Sequence, residues 1–120
     1  MNYLYMQTNG PETPAKASMP FQLAAAAALV GNDATVVLSA LGVHLVKQGV
    51  AEELTITPEM PKLRHFIDLA KEVGVKILVC SGGLDATGVK ADELIPDLDG
   101  IIGGMSWNEL AGEADVVMVF

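Results

Sequence analysis

A chain of 120 residues is enough for one domain and too short for two ordinary ones. Its composition, 51% hydrophobic and only 18% charged, excludes disorder, and its most apolar runs, Phe21–Val30 and Val36–Val46, fall short of the ~20 residues of a membrane span. Fifteen acidic against seven basic side chains leave a net charge of −8, which opposes binding to nucleic-acid phosphates.

Tyr3–Thr8 reads as a first strand, broken by Asn9-Gly10-Pro11. Pro14 can open a helix capped by Thr13, because an N1 proline sacrifices no intrahelical hydrogen bond. Pro20 either kinks that helix or marks an irregular turn before its regular part. Five successive alanines, Ala24 to Ala28, continue it with high helix propensity, and Gly31-Asn32-Asp33 stops it. Ala34–Ser39 is a β-branched second strand, and Gly42–Gln48 a short helix ended by Gly49. Glu52–Met60 reads as loop. Pro61 then opens a helix whose Leu63, Phe66, Ile67, Ala70 and Val73 follow the helical period, and Gly74 closes it.

Val75–Val79, apolar except for Lys76, reads as a strand running into Cys80, followed by an irregular stretch, Ser81–Ala91. Asp92 is placed to cap a short turn before Pro96, and Gly100–Gly104 reads as a fourth strand. Ser106 and Glu109 have capping-box spacing, which predicts a helix over Trp107–Glu113 before a last strand, Asp115–Phe120. Strands alternate with helices, and uninterrupted apolar strands need cover on both faces. The pattern predicts one α/β domain over 1–120, a mostly parallel sheet between helices.

In open α/β sheets, ligands bind beyond the carboxyl ends of the strands. That rule gathers Asn9 and Gly10 after the first strand, His44 after the second, and Cys80, Ser81, Gly82 and Gly83 after the third. Cys80 is the only cysteine, so an internal disulfide and dithiol exchange within one chain are excluded. Gly82 and Gly83 let backbone N–H groups turn toward an anion, and such donors favour the nucleophilic thiolate. His44 points toward the same edge and can assist. The bland alternative is a buried cysteine packed as a small hydrophobe and a histidine packed for its ring.

Cys80, His44 and His65 follow no metal-ligand spacing, and no P-loop or GxGxxG motif is present, so neither metal nor cofactor is expected. With no secretory pattern and one cysteine, the expected compartment is the cytoplasm. The apolar excess over what one small domain can hide predicts self-association.

Three stretches carry a family resemblance. Asn9-Gly10-Pro11-Glu12 leads into Ala15-Lys16-Ala17 and Pro20-Phe21. Gly42-Val43-His44-Leu45-Val46-Lys47-Gln48-Gly49 follows, and then Gly74-Val75-Lys76-Ile77-Leu78-Val79-Cys80. With Asp92-Glu93-Leu94-Ile95 and Ala114-Asp115, the whole chain resembles the DsrE/DsrF-like family. The resemblance implies a three-layer α/β/α sandwich with a five-stranded sheet, and assembly into trimers or hexamers. It also implies sulfurtransferase-like chemistry. The cysteine after the third strand, here Cys80, accepts sulfane sulfur as a persulfide and passes it to a partner thiol. Donor and acceptor would then be other proteins of a sulfur relay. Relatives often carry a base soon after that cysteine, where this chain has Asp85. The competing expectation is a non-catalytic oligomeric module of the same fold that binds a small anion or nucleotide at this edge.

Overall fold

The computed structural model describes residues 1–120. Five strands, β1 (Asn2–Gln7), β2 (Asp33–Leu38), β3 (Lys76–Cys80), β4 (Gly100–Ile102) and β5 (Val116–Val119), form one sheet. All neighbours are parallel, in the order β4-β3-β2-β1-β5. The helices are α1 (Pro14–Leu29), α2 (Val50–Glu53), α3 (Leu63–Glu72), α4 (Ser81–Thr87) and α5 (Gly104–Glu113). Two 3-10 segments, Ala40–Val46 and Ala91–Glu93, complete the chain. The expected three-layer α/β/α architecture is present, with the strands within a residue or two of their predicted bounds.

The strand order sets how the layers are filled. Three successive crossovers step the chain in one direction, from β1 to β4, and the last reverses to place β5 beside β1. Right-handed crossovers in opposite directions deposit their helices on opposite faces. So α1 and α3 pack together over one face, while α5 crosses the other face over β1. Tyr5, Val36, Leu38, Ile77 and Val79 point into the first face, where Ala17, Phe21, Ala24, Leu63, Ile67 and Ala70 meet them in one cluster of 22 buried residues. Leu4 and Val37 are also buried but lie outside that cluster, on the opposite face.

Both long helices on the first face stop as the glycines predict. Gly31 and Gly74 each have a φ of +93°, the left-handed conformation of a helix-ending glycine. Asn32 N–H then donates to Ala27 O, and Val75 N–H to Ala70 O.

Helix α1 runs unbroken through Pro20, and its chemistry explains how. A proline inside a helix leaves the carbonyl four residues earlier, here Lys16, without its donor. The side chain of Gln7, fully buried at the end of β1, supplies the replacement: its Nε2 donates to Lys16 O at 2.7 Å. Its Oε1 accepts from Asn9 N–H at 2.8 Å and Asn9 Nδ2 at 3.0 Å. One amide thus ties β1, the following loop and α1 together. Thr13 occupies the N-cap position, but its hydroxyl makes no capping bond and has no partner. The expected cap is absent because ψ is 74° there, away from the extended geometry that aims an N-cap side chain at the first turn.

Other expectations are corrected by packing. The short helix expected over Gly42–Gln48 is a 3-10 run that begins and ends earlier, Ala40–Val46, and Gly49 (φ +85°) precedes α2, whose Glu52 and Glu53 fall in the predicted loop. Ser81–Ala91 is not irregular, since Ser81–Thr87 is helical and closed by Gly88. Asp92 lies inside the short 3-10 turn that it was expected to cap. Helix α5 starts at Gly104, with extended Gly103 before it, so Ser106 sits within the helix and caps nothing.

Candidate active site around Cys80

Strand β3 delivers Cys80 to the carboxyl edge of the sheet. Side chains alternate along a strand, so Ile77 and Val79 enter the sealed core while Leu78 and Cys80 face the α5 side. Cys80 is a free thiol, half-buried, immediately before the first residue of α4. Its register partner on β4 is Ile102.

The neighbouring glycines have separate roles. A Cβ built on Gly82 would lie 3.8 Å from Cys80 Sγ, with nothing else nearby, so this glycine leaves open space beside the sulfur. At Gly83, by contrast, a Cβ would come 2.7 Å from Val43 Cγ2 and 2.9 Å from the Ala40 backbone nitrogen. Gly83 is buried and lets α4 seat on the 3-10 run. Ala40 at that contact has a φ of +48°, the only non-glycine residue in the left-handed region. Ser81 is exposed, and its Oγ is 3.7 Å from where a side chain on Gly103 would begin, which joins the β3 and β4 loops into one rim.

The remaining candidates occupy the same rim farther along it. Gly10 packs against Leu41 O, where a Cβ would stand 2.6 Å away, and its N–H donates to Glu12 Oε1 at 2.8 Å. Asn9 spends its amide on Gln7. His44 is half-buried in the middle of the 3-10 run, and no hydrogen bond joins its imidazole to Cys80. The structure therefore groups Cys80, Ser81 and Gly82 as the reachable unit. Gly83 supports it from beneath, and Asn9, Gly10 and His44 belong to the adjoining loops.

The family follows from a match over the full length: the model of the DsrE/DsrF-like family covers residues 1–120. The chain is a member of the DsrE/DsrF-like family. Two solved structures share the fold of this DsrE-like chain. The ychN protein from E. coli superposes with a TM-score of 0.78 at 17% identity, covering 100% of both chains. Protein MTH1491 from Methanobacterium thermoautotrophicum, a protein of unknown function by its own description, superposes with a TM-score of 0.65 at 13% identity, covering 98% of this chain and 96% of its own. No curated protein matches the sequence significantly.

No group of three or more His, Cys, Asp or Glu side chains in the DsrE-like chain is placed to hold a metal ion. No helix is long and apolar enough to cross a membrane. The most enclosed surface hollow, about 310 Å³, lies at the opposite, amino edge of the sheet beneath the end of α5, lined by Leu4, Thr35, Lys76, Leu110 and Glu113 among others. Cys80 lines none of the four hollows.

Sequence reasoning passed over two kinds of residue that build this region. Leu78 and Ile102 flank the thiol, and the two-residue alternation through 76, 78 and 80 was the signal for the first. Gln7 was missed as well. A lone polar residue ending an apolar strand, followed by a proline where a helix is otherwise expected, was its signature.

Proposed function

We propose that this protein is a cytoplasmic sulfur carrier of a sulfur relay, with Cys80 as its acceptor and a homotrimer or homohexamer as its working form. The observation that carries the reading is the position of the only cysteine, half-exposed at the carboxyl edge beside the gap left by Gly82. Membership of the DsrE/DsrF-like family over the whole chain supports a sulfur-relay context.

The chemistry needs little else. The Cys80 thiolate attacks the terminal sulfur of a polysulfide or protein persulfide. A new S–S bond forms at Cys80, the donor's S–S bond breaks, and the donor leaves as a thiolate or shortened polysulfide. An acceptor thiolate on another protein then attacks the outer sulfur, and the Cys80 thiolate departs. The same electron pairs move in both steps, so no external oxidant or reductant is consumed. A site for one sulfur atom requires a reachable thiol and no enclosed cavity, which suits a rim that lines none of the hollows. Gly82 supplies access, Ser81 and the adjacent backbone offer hydrogen bonds to the outer sulfur, and Gly83 holds α4 in register.

Mass spectrometry after incubation with polysulfide, a protein persulfide or thiosulfate tests the proposal. Wild type should gain one sulfur, removable by reductant, and Cys80→Ser should gain none. Failure of every sulfane donor to modify native protein overturns it. Inaccessibility of Cys80 to a thiol dye, combined with a ligand-induced rise in melting temperature that Cys80→Ala preserves, would establish the anion- or nucleotide-binding module in its place.

A further inference from the structure

Helix α1 carries an outward face that is apolar except at Lys16. Between residues 15 and 30 the exposed residues are Ala15, Lys16, Met19, Leu23, Ala26, Leu29 and Val30. Only one of these seven is charged, although a surface helix ordinarily turns its polar residues to water. Val30 and Leu29 are 78% and 68% exposed.

The pattern along this face is symmetric about its middle. Counting outward from a point between Gln22 and Leu23, Ala15 and Val30 lie equally far away, as do Met19 and Ala26. If a second α1 lies antiparallel across that point, each small residue meets a large one: Ala15 faces Val30 of the partner helix, Ala26 faces Met19, and Leu23 faces Gln22 beside the axis, one residue from its own copy. That is the self-complementarity required of a two-fold contact, in which i touches j and j touches i. Small opposite large also lets two helices approach to the usual 8–10 Å between axes.

Charge argues for the same orientation. Lys16 stands in the first turn of α1, near the positive end of its own helix, while the last turn carries no basic residue. Antiparallel pairing moves each Lys16 beside the negative carboxyl-terminal end of the other helix. No acidic residue lies on the helix itself, and the nearest exposed carboxylates in the chain, Glu12 and Asp33, stand beyond its two ends.

We infer that the outer face of α1 is a two-fold contact with a second copy of this chain, antiparallel and centred on Gln22–Leu23. The contact is small. A sixteen-residue helix is ~24 Å long and ~10 Å across, so pairing hides roughly 500 Å² in total, against ~1,600 Å² for a standard stable interface. By itself it therefore gives a weak, concentration-dependent pair. The inference is independent of sulfur chemistry.

Cross-linking and mass in solution test it together. In a Cys80→Ser background, Leu23→Cys should form a disulfide with its own copy. Ala15→Cys and Val30→Cys should cross-link to each other when mixed, and neither to itself. In solution, Leu23→Glu, which places two carboxylates beside the axis, should weaken association roughly a hundredfold, and Lys16→Glu roughly three- to tenfold. Unchanged circular dichroism in both variants separates these effects from misfolding. Ala15→Cys cross-linking to itself as readily as Leu23→Cys would indicate a parallel pair and overturn the inference. So would a monomeric mass at every concentration, or assembly indifferent to Leu23→Glu.

Discussion

The two faces of the sheet have been finished differently. On the α1/α3 face, Tyr5, Val36, Leu38, Ile77 and Val79 are sealed against helices, at no more than 2% exposure. Burial, and then the neighbouring Tyr3 hydroxyl, push the Tyr5 phenol above its ordinary 10.0. On the α5 face, Val117 and Val119 are 43% and 61% exposed, and Leu78 and Cys80 are only half covered. The same apolar alternation feeds both faces, so composition is not the cause. Topology is: only the last crossover reverses direction, and a single ten-residue helix is left to cover the second face. The Cys80 thiol lies on the face that the fold leaves open.

Truncation should separate the faces most sharply. Phe21→Ala, in the sealed cluster, is expected to destabilise by about 3–5 kcal/mol in a denaturant titration, and Val119→Ala by well under about 1 kcal/mol. Equal losses at the two sites would erase the contrast.

Next in size is the Gln7 amide. Gln7→Leu strands the Lys16 carbonyl and the Asn9 amide inside the protein and should cost about 2–3 kcal/mol. Pro20→Ala restores the helical donor to Lys16 and should recover part of that loss, which a double-mutant cycle measures directly. Strictly additive losses would mean that the glutamine is not substituting for the proline's missing N–H.

At the rim, Gly83→Ala drives a methyl into the 3-10 backbone and should cost about 1–3 kcal/mol, whereas Gly82→Ala should leave the melting temperature almost unchanged. The ranking inverts for the thiol. Gly82→Ala crowds the sulfur and should slow dye labelling and sulfur loading severalfold, with folding intact.

The smallest effect is electrostatic. The Lys90 backbone N–H, and then Lys47 at 3.3 Å, hold the Glu93 carboxyl below its ordinary 4.5. A carboxyl lowered in the folded state contributes stability above pH 4.5 that is lost as pH falls through the lower folded value. Glu93→Gln should flatten the acid side of the stability curve slightly in that window, while the neutral-pH value shifts little because the pair is exposed.

Much of this architecture was legible because apolar strands and helix-ending glycines leave local marks. Val75–Val79 marked a strand to within one residue, and Gly74 marked the end of a helix. What escaped depended on distant partners. Ser81-Gly82-Gly83 reads as loop because glycine is a poor helix former, yet α4 exists because Gly83 permits backbone contact with a segment forty residues earlier. The Ser106–Glu109 spacing mimics a capping box, but strand β4 ends early and the helix starts before it. Strand order, and with it the unequal faces, is invisible in a pattern of alternating elements. Cys80 was placed correctly at the end of its strand. The engagement of the Asn9 amide by Gln7 was not legible, because contacts between loops are set by packing that sequence spacing does not record.

From Gly100 to Phe120 no residue is fully buried, although that segment supplies two of the five strands and the whole third layer. Its backbone hydrogen bonds should be the first to open and its amides the quickest to exchange with solvent. Each such excursion moves Ile102, the neighbour of Cys80 on β4, so the surroundings of the sulfur would loosen with the tail.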